Sequence, residues 1–533
     1  MTPTRRLALP LAGALALMAV ACAAARPAPA ASGQEGPTLV VLLTVDQLRG
    51  DMLDHYGDAF TGGFRRLRDE GHRFTSASHH HAVTETAAGH ATLATGVPPS
   101  RHGIVGNDFR VPSGGALATV YSVEDTASPV LGLPAFVGRS PARLERSGLA
   151  DWILAADPRA RVVSASKKDR SAITVGGRSP EAHVYWIADG TGRFVTSRYY
   201  EDRYPAWVER FNASVMPELW ADSVWESTVP PALARLAGPD SVPWEADGVH
   251  TTFPHRASEE AGEGAWGHAT WVDRTPIPDE AVLRFGLEAL DALELGRRGA
   301  TDLLALSFSQ TDYVGHDYGP ISREQMDNLA RLDRHLATLF DALDRRVGEG
   351  RWVAALAADH GAMTPPEQTA EGGEPGHRLT QGDLQGLAAA VNEAVREGGA
   401  DAEVRERIVE RLEALPRVAR VYRTDSGAGD AASDSFAALF RHSTFPDRFA
   451  GLLSHLGFEL RWEEGMLGSV RERGTSHGSP YWHDRWVPLA FLGAGVEPGV
   501  SGEAAYTWDV APTLAALGGV PAPADLEGRL LLR

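Results

Sequence analysis

Continuous apolar runs that alternate with helical segments constrain the fold of this chain more than any other feature. The first run, Leu39–Val45, contains no charged residue and ends at Asp46. A strand without polar alternation is buried on both faces, as in a parallel sheet covered by helices. Similar runs lie at 161–166, 302–309, 352–358 and 487–493. The sequence therefore predicts an α/β fold with a mostly parallel central sheet flanked by helices.

Helical periodicity between these runs supports the same fold class. It extends over 280–295 and 507–517, and apolar residues recur every three or four positions over 326–343. Two regions interrupt the alternation: 188–275 is rich in Trp and Pro, and 366–473 carries Gly-rich, acidic and helical stretches. We interpret both regions as inserted cap segments at the carboxyl edge of the sheet, where loops carry function.

The first 36 residues are typical of an export signal followed by a linker. Two arginines precede an apolar run at 7–20, which is shorter than the ~20 residues that a membrane span requires. Cleavage near Ala21 or Ala25 would release a periplasmic or secreted protein. Lipid attachment at Cys22 would instead anchor the protein to a membrane, as a lipoprotein. We expect the mature domain to extend over 37–533, and we expect no membrane span in it.

Charge and cysteine content narrow the classes of function. The chain has 51 Lys and Arg against 70 Asp and Glu, a formal net charge of −19. This acidic balance argues against a nucleic-acid partner, which requires a basic face. Cys22 is the single cysteine of the sequence, so a disulfide scaffold and a cysteine zinc site are both excluded. A metal in this protein must be held by histidines and carboxylates.

Acidic residues and histidines follow the ends of several predicted strands. Because the carboxyl ends of parallel strands meet at one edge, these residues can converge there although they are distant in sequence. Three aspartates and three histidines suit two borderline cations such as Zn²⁺. The six candidate ligands are Asp46, Asp312, His316, Asp359, His360 and His477.

Four further residues are candidates for the chemistry of the same edge. Thr86 opens a short helix, and a hydroxyl beside a bound cation can lose its proton and act as a nucleophile. Asn107 lies in the loop that follows. If the strand geometry continues past 166, Lys168 and Arg170 point to the same side and match the oxygens of a phosphoryl group. Taken singly, a threonine at this place is more often a simple helix cap, and a basic pair is more often a solvated turn.

Together these motifs resemble the alkaline phosphatase superfamily, and more closely its threonine-nucleophile alkaline phosphatases. The resemblance extends over most of the chain, from about 39 to 517. Its motifs are the strand that ends at Asp46, Thr86-Ala87-Ala88-Gly89-His90, Gly103-Ile104-Val105-Gly106-Asn107, Asp312-x-x-x-His316, Asp359-His360-Gly361, His477-Gly478-Ser479 and the segment 508–514.

The resemblance implies two Zn²⁺ ions per chain and a division of the ligands between them. It places Asp46, Asp359 and His360 on one zinc, which also binds the Thr86 oxygen. It places Asp312, His316 and His477 on the other zinc, and it implies that Asn107, Lys168 and Arg170 bind the substrate. It gives His90 no ligand role, and we interpret the triplet 79–81 as packing or surface residues.

The resemblance also separates subfamilies. Nucleotide pyrophosphatase/phosphodiesterase relatives share the threonine, the asparagine and the six ligands but lack the Lys-x-Arg pair. We therefore expect an alkaline phosphatase that hydrolyses small-molecule phosphate monoesters through a phosphothreonine intermediate and releases inorganic phosphate. The alternatives are a phosphodiesterase of the same superfamily and a non-catalytic exported protein that binds phosphate or metal.

Overall fold

The computed structural model describes residues 36–264, 267–424 and 434–532. The predicted signal peptide and the alternative lipid site at Cys22 lie outside the described residues. The strands of the described chain are β1 Leu39–Val45, β2 His72–Ser78, β3 Asp108–Ser113, β4 Ala116–Tyr121, β5 Val162–Ser166, β6 His183–Ala188, β7 Arg193–Val195, β8 Val224–Trp225, β9 His255–Arg256, β10 Asp302–Phe308, β11 Trp352–Ala357, β12 His377–Arg378, β13 Val418–Arg423, β14 Phe458–Trp462, β15 Met466–Leu467, β16 Leu489–Gly493 and β17 Gly499–Tyr506.

Nine of these strands form the central sheet, in the order β17-β2-β16-β11-β1-β10-β5-β6-β7. β1 pairs in parallel with both β10 and β11, and its residues alternate between two buried apolar layers: Leu39, Val41 and Leu43 on one face, Val40 and Leu42 on the other. The strands from β11 to β6 run parallel, whereas β16 is antiparallel to β11 and β2. The predicted fold class, a mostly parallel sheet flanked by helices, is confirmed.

Helices cover both faces of the sheet. Residues of α2, α7, α10 and α12 join one apolar layer, and residues of α3, α5, α6 and α18 join the other. The helices are α1 Met52–His55, α2 Gly63–Glu70, α3 Thr86–Thr95, α4 Pro99–His102, α5 Leu149–Ala156, α6 Asp169–Gly176, α7 Ala206–Leu219, α8 Ala257–Glu260, α9 Gly267–Val272, α10 Ile277–Ala292, α11 Gln310–Tyr318, α12 Arg323–Leu343, α13 Pro366–Glu371, α14 Gln381–Arg396, α15 Asp401–Glu413, α16 Ser435–Ser443, α17 Trp482–Arg485 and α18 Val510–Leu517.

The region predicted as an inserted segment at 366–473 contains a small core of its own. β13 and β14 pair antiparallel. Helices α14 and α15 contribute Leu387 and Leu412 to a separate apolar cluster, which Phe458 of β14 completes. This cluster is separate from the two apolar layers of the central sheet. The limits of the domain and of its insertions stay predictions.

No helix of the described chain is both long enough and apolar enough to cross a lipid bilayer.

Asp279 of α10 fixes the place where β10 passes into α11. Its buried carboxylate accepts hydrogen bonds from the backbone N–H of Ser309 (2.8 Å) and of Gln310 (3.2 Å). Burial raises the pKa of Asp279 to about 7. Because the same carboxyl titrates near 4 in the unfolded chain, its ionisation inside the protein opposes folding as the pH rises from about 4 to 7.

We therefore expect Asp279→Asn to remove a pH-dependent contribution to stability. The free energy of unfolding of the wild type, relative to the variant, should fall by roughly 2–4 kcal/mol between pH 5 and pH 8. Urea unfolding at both pH values measures this difference. Asp341→Asn, at an exposed aspartate, is the control and should show no such dependence on pH. A difference that does not change with pH would contradict the burial argument.

Candidate active site

The carboxyl ends of β1 and β11 bring together the first set of candidate metal ligands, which we call the first trio. Asp46 directly follows β1, and Asp359 and His360 come just after β11. All three residues are fully buried. Nε2 of His360 lies 3.6 Å from Oδ1 of Asp46 and 3.6 Å from Oδ2 of Asp359.

A second trio forms beside the first, from α11 and the loop that precedes α17. Asp312 and His316 are one helical turn apart, and Nε2 of His316 lies 3.2 Å from Oδ1 of Asp312. Nε2 of His477 lies 3.5 Å from the same oxygen. The imidazoles of His360 and His477 stack with their centroids 3.6 Å apart, so the two trios adjoin.

The three histidines of the trios share one orientation. Nδ1 of His360 is 3.0 Å from the carbonyl oxygen of Gly361, and Nδ1 of His316 is 2.8 Å from that of Thr475. Nδ1 of His477 is 2.7 Å from the carbonyl oxygen of Thr84. For His360 and His477 the Nδ1–H therefore donates to the backbone, which fixes the tautomer and leaves Nε2 as an electron-pair donor facing its trio. Nδ1 of His316 also lies 3.0 Å from Nη1 of Arg471, which can only donate.

Both trios fit a cation. Within each trio the potential ligand atoms lie no more than 4.8 Å apart, and tetrahedral zinc with bonds of about 2.0–2.2 Å separates its N and O ligands by ~3.3 Å. Among the described residues, Oδ1 of Asp46 and Nε2 of His360 have no hydrogen-bond partner. Burial, followed by the charge of Asp359, raises the pKa of Asp46 well above its ordinary value. A bound cation would compensate both the excess of negative charge and the buried oxygen and nitrogen atoms that have no hydrogen-bond partner.

Lys168 is the cationic side chain that joins the two trios. Its Nζ lies 2.7 Å from Oδ2 of Asp46 and 2.6 Å from Oδ2 of Asp312. Burial alone would lower the pKa of Lys168, but the charges of Asp312 and Asp46 raise it above its ordinary value. The ammonium group therefore remains protonated at the centre of the site.

Thr86 and Arg170 meet on the same side of the trios. Thr86 is the first residue of α3 and is 1% exposed. Nη2 of Arg170 is 3.5 Å from its hydroxyl oxygen, and Nη1 donates to the hydroxyl of Tyr121 at 3.2 Å. The Tyr121 hydroxyl in turn donates to Asp169. Arg170 is thus held by a buried network that aims its guanidinium at the threonine oxygen.

Asn107 completes the surroundings of Thr86. Its Oδ1 accepts a hydrogen bond from the backbone N–H of Ala87 at 2.9 Å, which leaves its amide protons free to donate. The backbone N–H of Asn107 donates to Oε2 of Glu85 at 2.6 Å. The residue before the threonine therefore fixes the loop that carries the asparagine.

Lys168 and Arg170 lie at the same site, but not for the reason predicted, which was that the strand continues past 166. β5 ends at Ser166, and Lys168 is the cap residue of α6, so the strand does not continue to Arg170. Both side chains reach the site because the cap and the first turn of a helix project toward the end of the preceding strand. Thr86 is likewise not a helix cap, since Glu85 occupies that position.

Gln47 is a residue of the site that the motifs did not indicate. Its backbone N–H donates to Oδ1 of Asp359 at 3.1 Å, and its Nε2 donates to Oδ1 of Asp312 at 2.8 Å. It therefore holds one carboxylate of each trio. Its backbone φ is 63°, a value that residues other than glycine rarely adopt. The sequence signal for this role was its position directly after Asp46. A single polar residue in a turn forms no periodic pattern, so the sequence did not predict the role.

The remaining histidines singled out in the sequence pack around the site. Nδ1 of His90 is 2.9 Å from the carbonyl oxygen of Thr86 and 3.0 Å from Oδ2 of Asp359. His79 and His81 are buried, and Nε2 of His79 is 2.9 Å from the carbonyl oxygen of Ala358. These side chains support the strand end and the helix that carry the trio and the threonine.

A parallel sheet edge that gathers two such trios beside a threonine at a helix start defines a protein of the alkaline phosphatase superfamily. Comparison with known families gives the narrower assignment. The profile of the type I phosphodiesterase / nucleotide pyrophosphatase family matches residues 40–449, and the chain belongs to this family. The resemblance inferred from the motifs is confirmed at the level of the superfamily.

The chain is similar over nearly its whole length to alkaline phosphatase PafA of Elizabethkingia meningoseptica. The two are 31% identical over 527 residues, which cover 92% of this chain and 93% of that protein. The crystal structure of PafA matches with a TM-score of 0.84 at 28% identity, over 94% of this chain and 99% of that one. A PafA variant substituted at a threonine, an asparagine, a lysine and an arginine matches at 27% identity, with the same TM-score of 0.84 and the same coverage of 94% and 99%.

We expect Gln47→Ala to weaken metal binding, because a carboxylate of each trio loses the donor that orients it. Loss of such an outer contact typically lowers metal affinity by about 10–100-fold. Competition with a chromophoric chelator measures the affinity of the purified protein. Gln368→Ala, on α13 and away from the trios, is the matched control, and equal affinities for both variants would contradict the orienting role.

Proposed function

We propose that this protein is an exported alkaline phosphatase that hydrolyses small-molecule phosphate monoesters at a two-zinc site. The observation that carries the proposal is that Lys168 lies between the two trios and Arg170 reaches the hydroxyl of Thr86. A double negative charge is what distinguishes a monoester from a diester, and two fixed cationic side chains match it. The similarity to PafA, which is named an alkaline phosphatase, supports the same activity.

Thr86 is the proposed nucleophile. Its hydroxyl is buried at the start of α3, where the free N–H groups of the first turn create a positive potential. Arg170 adds a full positive charge 3.5 Å away. Both effects favour the ionised oxygen. Attack on phosphorus breaks the bond to the leaving oxygen and forms a phosphothreonine, which water then hydrolyses to release inorganic phosphate and restore Thr86.

Asn107, Lys168 and Arg170 are the proposed ligands of the non-bridging oxygens. The amide of Asn107 is free to donate, and the Tyr121 hydroxyl holds the guanidinium of Arg170 in a fixed direction. Because these groups are ordered before the substrate arrives, they neutralise charge without reorganisation during the reaction.

Asp46, Asp359 and His360 would hold one zinc ion, and Asp312, His316 and His477 the other. When bound, such a pair of ions supplies positive charge to the entering and leaving oxygens of the displacement. Uncatalysed hydrolysis of a phosphate monoester is so slow that an enzyme must lower its barrier by ~20 kcal/mol or more. Since the transition state is loose, positioning and neutralisation of charge by the residues of the site provide most of this effect.

Phosphodiester hydrolysis is the second candidate function, because the family profile is described by that activity. The Lys-x-Arg pair is the feature that argues against it. The lysine and the arginine changed in the PafA variant are also two positions apart, and a threonine and an asparagine were changed with them. The same four residue types stand at Thr86, Asn107, Lys168 and Arg170, which supports their assignment to one reaction site.

Thr86→Ala should abolish turnover while metal binding is retained. We expect kcat/KM for p-nitrophenyl phosphate to fall by at least about 10³-fold, because the covalent route is lost. Thr86→Ser, which retains a hydroxyl, should keep measurable activity. Elemental analysis should give two zinc ions per chain in all three proteins. A non-catalytic binding protein would show no chelator-sensitive turnover in any of them.

Lys168→Ala combined with Arg170→Ala should reduce monoester hydrolysis far more than diester hydrolysis. We expect the ratio of kcat/KM for p-nitrophenyl phosphate to that for bis-p-nitrophenyl phosphate to fall by about 10²-fold, since the pair serves the extra charged oxygen. Arg159→Ala, exposed near the opposite end of β5, is the control for a general change in charge. Equal losses toward both substrates would favour the phosphodiesterase.

A further inference from the structure

His316 differs from the other histidines of the trios in the partners of its Nδ1. The carbonyl oxygen of Thr475, at 2.8 Å, can only accept a hydrogen bond, whereas Nη1 of Arg471, at 3.0 Å, can only donate one. A ring nitrogen either carries a proton or holds a lone pair, so it satisfies one of these partners at a time. In the described part of the chain, Nδ1 of His360 and of His477 each bonds a backbone carbonyl oxygen alone.

The two neutral tautomers of His316 differ in their capacity to bind a cation. When Nδ1–H donates to Thr475, Nε2 keeps its lone pair and can act as a metal ligand. When Nδ1 accepts from Arg471, the neutral ring carries its proton on Nε2. Because Nε2 lies 3.2 Å from Oδ1 of Asp312, that proton bonds another ligand of the same trio. The contact with Arg471 therefore stabilises a tautomer that cannot bind a metal.

Of the two competing partners, Thr475 is fixed and Arg471 is free to move. The backbone N–H of Thr475 donates to the carbonyl oxygen of His316 at 2.9 Å, and its hydroxyl donates to a backbone carbonyl oxygen at 2.6 Å. The side chain of Arg471 is 31% exposed, and Asp317, which lies 3.8 Å from it, already accepts hydrogen bonds from Arg274. A cation that binds the second trio would therefore displace the guanidinium and leave the carbonyl in place.

The first trio has no such competitor at its histidine. Nε2 of His360 and Oδ1 of Asp46 have no hydrogen-bond partner among the described residues, so both atoms are ready to bind. In the second trio both oxygens of Asp312 are engaged, Oδ1 by Gln47 at 2.8 Å and Oδ2 by Lys168 at 2.6 Å. A cation finds two free ligand atoms in the first trio, whereas at the second trio it must displace hydrogen bonds within the protein.

We propose that Arg471 is a positioning residue that weakens the second cation site, so that the first trio fills with zinc before the second. Without the second cation, Arg471 donates to Nδ1 of His316. When that cation binds, the ring releases its Nε2 proton to water and takes up one proton at Nδ1, which then donates to Thr475. The guanidinium turns to solvent with its charge unchanged, so no net proton is released by the ring. The inference rests on the two-zinc site of the proposed function but not on the reaction.

Arg471→Met removes every donor of this side chain and keeps an unbranched chain of similar length. We expect the zinc affinity of the second site to rise by at least about tenfold, because the competing hydrogen bond from a charged donor is lost. The affinity of the first site should change by less than about twofold. Competition with chromophoric chelators of graded affinity, starting from the metal-free protein, measures both affinities without any turnover. In the background of Asp312→Asn, which disables the second trio, Arg471→Met should have no effect.

Arg473→Met, at an exposed arginine two residues further along the same loop, is the matched control for the loss of one positive charge. It should leave both affinities unchanged. Salt separates the hydrogen bond from a long-range effect of charge. Raising NaCl from about 0.05 M to about 0.5 M screens a Coulomb interaction, whereas the gain in Arg471→Met should persist.

A second-site affinity that is unchanged or lower in Arg471→Met would overturn the inference, since a merely structural role can only weaken metal binding. An equal gain in Arg473→Met, or a gain that high salt abolishes, would assign the effect to charge and overturn it as well. A wild-type protein that binds fewer than two zinc ions in excess zinc would remove the two-zinc site itself. If both sites fill but p-nitrophenyl phosphate is not hydrolysed, the proposed function fails and the role of Arg471 stands.

Discussion

The parallel register among β1, β10 and β11 is the constraint on which the candidate site depends. Val45 lies opposite Phe308 and Thr44 opposite Ala357, so the three strands end at nearly the same height. Asp46, Asp312 and Asp359 follow those ends within a few residues. Because a register slip by one residue reverses every side chain of a strand, the two apolar layers on β1 fix the register and hence the positions of the aspartates.

Convergence of three carboxylates in a buried place creates an electrostatic problem that the rest of the site addresses. Buried charges destabilise a fold unless opposite charges or hydrogen bonds compensate them. Lys168 lies between Asp46 and Asp312, and Gln47 donates to Asp312 and Asp359. Oδ1 of Asp46 and Nε2 of His360 still have no hydrogen-bond partner among the described residues. A cation bound at this edge would supply positive charge that these side chains lack, and its binding would then stabilise the folded site.

The parts that the sequence predicted correctly are those that carry a repeated pattern. The run Leu39–Val45 became β1 without change, and the periodicity over 326–343 became α12. Strand direction has no such pattern, so the antiparallel β16 could not be distinguished from its parallel neighbours. Gln47 and Glu85 were missed for a related reason: each acts through one contact that depends on tertiary structure. The six candidate ligands could be named because each follows or precedes a strand, whereas the distances between them required the fold.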